Sequence, residues 1–225
     1  MWPDAALILG AYLIGSFPHL AVLSRLRGIK VGGDLHINLW HRGGRLVGLI
    51  GIFGEFVKGV TPVLVGRYLD FSLLVIVLAG LAVVSGQMWP IFLRFDGEKG
   101  NSIGVAMAAV LAPAPFFVAL VPILVGVTIK LSHRLTDIRK SLNERLRFGG
   151  PPSRSLPLGM AGGFLVLPFA SCCLGEPPVV TLGFCVLFLL IKIRRLTAGL
   201  GGDLTEGADV KRILINRLLY DRSYM

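Results

Sequence analysis

The sequence predicts an all-α, polytopic membrane helix bundle. Three observations carry this. First, 54% of the 225 residues are hydrophobic and only 16% are charged, with a mean hydropathy of +0.74. A soluble domain carries about 25% charged residues. Second, the apolar residues gather in runs long enough for a helix to cross a bilayer, which takes about 20 residues. Third, the formal net charge of +10 sits between those runs, as membrane orientation requires of cytoplasmic loops. The length fits a single membrane domain, 1–225, with no separate soluble domain.

The elements follow in order. Ala5–Leu23 is the first run. It follows an acidic Asp4 rather than a basic region, and no small-x-small cleavage site comes after it, so it reads as a mature helix and not a signal peptide. Leu46–Val65 and Leu69–Trp89 are the next two spans. Ile103–Ile129 is too long for a simple span and contains Pro113, Pro115 and Pro122. Proline removes a backbone donor and clashes with the preceding turn, so a break is expected at Ala112–Pro115, giving two short helices. Leu156–Leu174 and Val179–Ile193 complete the set.

The basic residues set the count. Arg25, Arg27, Lys30, Arg42 and Arg45 lie in the loop 24–45. Lys130, Arg134, Arg139, Lys140, Arg145, Arg147 and Arg154 lie in the loop 130–154. Arg194, Arg195, Lys211, Arg212, Arg217 and Arg222 lie in the tail. The connection 66–70 carries only Arg67, and the turn 175–178 carries Glu176 and no basic residue. If 103–129 is a hairpin, every basic segment falls on the cytoplasmic side. This gives seven transmembrane helices, with the N-terminus outside and the C-terminus cytoplasmic. Six helices is the alternative.

Two polar segments are expected to be amphipathic and cytoplasmic. Near 134–148, Ile138, Leu142 and Leu146 recur at helical spacing among basic residues, and Gly149-Gly150-Pro151-Pro152 ends the run. Near 208–220, Val210, Ile213, Leu214, Leu218 and Leu219 repeat the pattern. Such helices lie on anionic lipid or dock on a neighbouring helix. Cys172, Cys173 and Cys185 stand in apolar runs without metal-ligand spacing and read as small packing residues. No basic stripe is interleaved with aromatics, so nucleic acid is not an expected partner. No inverted repeat suggests a transporter.

The chemistry concentrates in Ser85–Gly104. Gly97-Glu98-Lys99-Gly100 lies between two apolar runs. Glycines let backbone N–H groups approach an anion, lysine supplies charge, and a helix starting near Asn101 or Ser102 adds its dipole. A solvated loop is the alternative. His36 and His41 stand five apart in the preceding basic loop, close to Asn38, where a histidine could serve as a general base. The region offers too few ligands for zinc, so neither a metal nor a cofactor is expected. His19 lies inside the first span and His133 in a basic loop, without visible partners. Glu55 and Lys58, three apart on one helix face, suggest an internal ion pair.

In the order of these pieces the chain resembles the bacterial acyl-phosphate:glycerol-3-phosphate acyltransferase family, PlsY. AYLIGSFPHLAVLSRLRG is similar to its opening span, with Tyr12, Gly15, Ser16 and Pro18. GRLVGLIGIFGEFVKG is similar to its second span, with Glu55 and Lys58-Gly59 where the family has an acidic residue and Lys-Gly. WPIFLRFDGEKG resembles its second motif, which leads to Gly-Gly-Lys-Gly. IRRLTAG, at 193–199, resembles its third. The resemblance implies a seven-helix fold in a bacterial plasma membrane. It also implies acyl transfer from acyl phosphate to the 1-hydroxyl of glycerol 3-phosphate in phospholipid synthesis. The phosphate-binding set carried over is Lys99, Gly97, Gly100, Asn38, His41, Arg42 and Arg94.

The departures fall where that chemistry needs donors. With Asn38 on the last asparagine of the family's first motif, its serine falls on Val31, its inner asparagine on Gly33 and its arginine on His41. Gly86-Gln87 replaces Gly-His, and Glu98 replaces a glycine. The third motif's His-Arg-x-Asn falls on Leu189, Leu190, Ile191 and Lys192, and a serine pair falls on Pro157 and Met160. No catalytic residue is therefore assigned. Two readings follow: a divergent acyltransferase, or a catalytically degenerate member that binds lipid or serves as a structural subunit. The expected partners are acyl phosphate and glycerol 3-phosphate if active, anionic lipids, and a membrane protein partner under the second reading.

Overall fold

The computed structural model describes residues 2–29, 35–136, 141, 153–204 and 209–220, without the side chain of Arg134. All regular structure among these residues is helical. The helices are α1 Trp2–Ser16, α2 His19–Leu26, α3 Leu35–Arg42, α4 Arg45–Tyr68, α5 Leu73–Met88, a 3₁₀ turn Ile91–Leu93, α6 Asn101–Leu111, α7 Pro113–Leu135, α8 Ser155–Cys173, α9 Pro178–Thr197, α10 Leu200–Leu204 and α11 Val210–Tyr220. Five stretches are long and apolar enough to cross a membrane: Trp2–Leu26, Arg45–Tyr68, Leu73–Leu93, Pro113–His133 and Ser155–Cys173. The chain divides into two compact units, residues 1–110 with 141–151, and 111–140 with 152–225.

In the first unit the expected opening span is interrupted. Pro18 has no N–H to continue the helix, so α1 ends at Ser16 and α2 begins at His19, whose N–H turns to the Phe17 carbonyl. Lys58 of α4 satisfies what the break exposes. Its Nζ donates to the Phe17 carbonyl and, at 3.4 Å, to that of Gly15. The Phe17 ring lies 5.9 Å from the same ammonium. Lys58 is therefore committed to the α1–α2 break, not to an ion pair with Glu55. His19 also gains a partner, with Nε2 3.0 Å from the Gly51 carbonyl.

Helices α1 and α5 touch backbone to backbone. A Cβ on Gly15 would lie 2.1 Å from the Val83 oxygen, and one on Gly86 would lie 2.2 Å from the Tyr12 oxygen. Small residues serve this role in membranes, where apolar burial does not itself drive helices together. Tyr12 closes the pair by donating to the Trp89 carbonyl at 2.7 Å. Gly15→Ala and Gly86→Ala should each lose about 1–3 kcal/mol, because backbone must move. Gly10→Ala, with open space around it, should not. Thermal unfolding in detergent checks this difference.

In the second unit α7 and α8 pack through glycines. A Cβ on Gly126 would meet the Ser155 oxygen at 2.6 Å, and one on Gly159 the Pro122 oxygen at 2.6 Å. Ser171 and Thr181 hydroxyls join α8 to α9 at 2.8 Å. The expected break is present, since Ala112 is extended between α6 and α7. However, α7 is not short. It runs to Leu135, into what the charges marked as a loop, because no proline stands between Pro122 and that point and Gly126 is used for packing on α8.

The tail segment near 208–220 forms α11, which contacts α8 and α9. It buries Ile213, Asn216 and Arg217 and leaves Val210 and Leu214 exposed. Arg217 bonds Asp203, and Lys192 Nζ donates to the Leu218 carbonyl at 3.1 Å. The docking face is thus set by polar anchors rather than by the leucines. The other amphipathic segment, with Ile138, Leu142 and Leu146, lies outside the described residues, as do Val31 and Gly33. Cys172 and Cys173 are exposed rather than packed inside.

Candidate functional site

The site builds from the end of α5. Met88 closes the helix, Pro90 opens the 3₁₀ turn, and Arg94 and Phe95 adopt left-handed φ of 54° and 64°. The chain then doubles back. Gly97 N–H donates to the Met88 carbonyl at 3.2 Å, and Glu98 N–H to the Gln87 carbonyl at 3.1 Å. The approach is close enough that a Cβ on Gly97 would stand 2.2 Å from the Gln87 oxygen. Gly100, at φ 72°, turns the chain into α6, and its carbonyl accepts from Gly104 N–H at 2.8 Å. Lys99 therefore sits two residues before Asn101, the first residue of α6, where the helix dipole favours an anion.

This corrects one expectation. The sequence assigned the glycine amides to an anion, yet the Gly97 amide is already donated to Met88. Its glycine is required by the close approach of the loop to α5. The helix start at Asn101 is where the sequence placed it.

Three of the remaining anion-site candidates lie on α3, which the sequence left as a loop. Asn38 is half-buried, while His41 and Arg42 are exposed on its last turn. Arg94 is exposed beyond the 3₁₀ turn. What links α3 to the Lys99 loop is a residue the sequence weighed little. His36 Nε2 lies 3.2 Å from Glu55 Oε2 and 3.5 Å from Glu98 Oε2. Gln87 Nε2 donates to the other Glu55 oxygen at 2.9 Å. Glu55 is only 2% exposed, so its charge depends on these partners.

Ligand atoms of His36, Glu55 and Glu98 lie within 4.8 Å of one another, close enough to share a cation. An imidazolium between two carboxylates balances much of the same charge. Burial works against a charged His36, but its hydrogen bonds and proximity to Glu55 and Glu98 outweigh this and raise its pKa to about 10. Burial pushes the Glu98 carboxyl upward, with the Glu55 carboxylate adding to the effect. The groups facing His36 are Glu55 from α4, Glu98 from the Lys99 loop and, at longer range, His19 from α2.

A histidine raised on folding stabilises fully below its unfolded pKa, about 6.5, and that contribution disappears as pH rises through about 10. Stability should therefore fall between those values, and the fall should shrink in His36→Gln. Melting temperature against pH for both proteins checks this.

Three residues of the cluster stand where the chain departs from the resembled motifs. Gln87 replaces a histidine, Glu98 a glycine and, by the same pairing, His36 an alanine. Sequence spacing hid their relation, because α3, α4, α5 and the loop each contribute one group. Their joint departure was the available signal. In the second unit, Leu189 is 55% exposed, and Arg195 Nη1 donates to the Pro157 carbonyl at 3.2 Å.

Residues 5–142 match the family model described as glycerol-3-phosphate acyltransferase. A Dehalococcoides mccartyi (strain CBDB1) protein named glycerol-3-phosphate acyltransferase 4 is 29% identical over 222 residues, covering 96% of this chain and 88% of that protein. A Geotalea daltonii glycerol-3-phosphate acyltransferase is 34% identical over 129 residues, covering 52% of this chain and 66% of that protein. The Geobacter metallireducens protein of the same name is 36% identical over 115 residues, 49% of this chain and 59% of that protein. The chain thus spans about three-fifths to two-thirds of the length of these last two relatives. The crystal structure of PlsY (YgiH), an integral membrane glycerol 3-phosphate acyltransferase in its lysophosphatidic acid form, superposes with a TM-score of 0.68 at 23% identity. That superposition covers 92% of this chain and 94% of that one, so the fold is shared.

Proposed function

Because the chain belongs to the glycerol-3-phosphate acyltransferase family, we propose that it transfers an acyl group from acyl phosphate to glycerol 3-phosphate in a bacterial plasma membrane. The observation that carries this is the family match together with Lys99 held at the N-terminus of α6, on a loop joined to α3 through Glu98 and His36. Lys99 and Gly100, with Asn38, His41, Arg42 and Arg94, form the anion-binding set; Gly97 shapes the loop. In the reaction the glycerol hydroxyl oxygen bonds the acyl carbon, the acyl–phosphate C–O bond breaks, and the hydroxyl proton passes to the departing phosphate. No cofactor or metal enters that balance. Purified protein given acyl phosphate and glycerol 3-phosphate should form lysophosphatidic acid. A folded protein that forms none would favour the lipid-binding or structural role, with anionic lipid or a membrane protein as partner.

The same reading has seven membrane helices, an outer N-terminus and a cytoplasmic C-terminus. It is supported by the break at Ala112 and by the basic loops. The natural thiols test it, since Cys172 and Cys173 are exposed at the end of α8 near the acidic turn. A membrane-impermeant maleimide should label them in intact cells. Arg212→Cys in a cysteine-free background should label only after permeabilisation. Labelling of Arg212→Cys from outside would reverse the orientation.

A further inference from the structure

We propose that His36 is a substrate-contacting residue, anchored through Nε2 by Glu55 and Glu98 and donating from Nδ1 to a phosphate oxygen of glycerol 3-phosphate. The inference rests on the acyltransferase reading and adds to it a donor that the family motifs do not supply.

The two ring nitrogens of His36 have different fates. Nε2 faces two carboxylate oxygens, at 3.2 and 3.5 Å. Nδ1 is buried and has no hydrogen-bond partner. Two carboxylates on one side of the ring hold the imidazole in its charged form, so Nδ1 carries a hydrogen. A buried N–H left unpaired costs about 1–3 kcal/mol, a cost removed when a ligand oxygen accepts from it. The ring is oriented from behind by Glu55, which Gln87 in turn holds at 2.9 Å. Glu98, the neighbour of Lys99, ties the same ring to the loop that carries the lysine. His36 and Lys99 are thus two cationic donors set on mutually bonded segments, as a phosphate dianion requires.

The placement also accounts for the departures in the motifs. A glutamate beside the phosphate-binding lysine would by itself repel an anion. Paired with His36, it instead fixes an imidazolium whose second, buried nitrogen can donate to one. The hydroxyl lost at Val31 and the imidazole lost at Gln87 would be replaced by a single group delivered from α3.

Two isosteric substitutions separate donation from anchoring. Glutamine places its amide where Nε2 lies and keeps the anchor, whereas asparagine places its amide where Nδ1 lies and keeps the donor. His36→Gln should lower kcat/KM for glycerol 3-phosphate about 10²-fold per folded molecule, with KM rising and the melting temperature falling near neutral pH by the share that the charged ring supplied. His36→Asn should retain more activity and lose more stability. The reverse order, or a His36→Gln within about threefold of the parent, would make the residue structural only.

A second measurement does not depend on turnover. The chain has 4 histidines. In ¹⁵N-histidine-labelled protein the Nδ1 resonance absent from His36→Gln should shift on adding glycerol 3-phosphate. A shift without turnover would remove the acyltransferase reading and keep this donor. Turnover without a shift would overturn the donor and keep the reading. Neither would overturn both.

Discussion

Lys99→Ala should lower acyl transfer by about 10²–10³-fold while leaving the fold intact. The side chain is half-buried in a loop whose course is set by other groups: the Gly97 and Glu98 amides on α5, and the Glu98 carboxylate on His36. Removing the lysine therefore removes charge at the α6 N-terminus and leaves those amide and carboxylate contacts in place. Loss of one well-placed donor to developing negative charge has about that cost in rate. Lys58→Ala is the matched comparison. That ammonium is buried and committed to the Gly15 and Phe17 carbonyls, so its loss should appear in the melting temperature, with turnover per folded molecule affected far less. Turnover with acyl phosphate, normalised to folded protein, decides the matter. Equal activity losses in the two variants would mean that Lys99 has no special role.

Glu55→Ala should be the most destabilising single substitution in the first unit, by about 3–5 kcal/mol. Glu55 is the nearer and more deeply buried carboxylate partner of the His36 charge, and breaking a buried pair is costly. Here it would strand His36 beside Glu98 alone and leave the Gln87 amide without its acceptor. Glu55→Gln should cost less, since an amide oxygen can still accept from Gln87. Denaturation in detergent measures both. A Glu55→Ala protein that melts with the parent would show that His36 and Glu98 suffice without it. Because Glu55 also orients His36, activity should fall with stability in Glu55→Ala. In His36→Gln, activity per folded molecule should fall further than the loss of stability accounts for.

The apolar runs, the proline cluster at 112–115 and the basic loops made the helices legible in the sequence. Each follows from short-range rules: a span needs about 20 apolar residues, proline ends a helix, and loops keep their charge out of lipid. The Gly-Glu-Lys-Gly turn was legible for the same reason, and α6 begins where its last glycine predicts. The errors came from short-range signals that competed. Pro18 divides the first span although its neighbours are apolar. Helix α3 forms in a stretch too polar to stand out, held by Leu39 packed against Leu20, Ile29 and Val47.

Tertiary structure alone decided the partners of the buried polar groups. Sequence proximity offered Glu55 and Lys58 to each other. The fold instead gives Lys58 to carbonyls freed by the Pro18 break, and gives Glu55 to His36 and Gln87 from two other helices. The sequence by itself determined a membrane-embedded helical chain with a lysine turn suited to an anion. The glycine contacts between α1 and α5, and the return of residues 97–98 onto the end of α5, determined which distant side chains meet around that turn. A buried charge must find a partner wherever the packing places one, and separation along the chain does not reveal where that is.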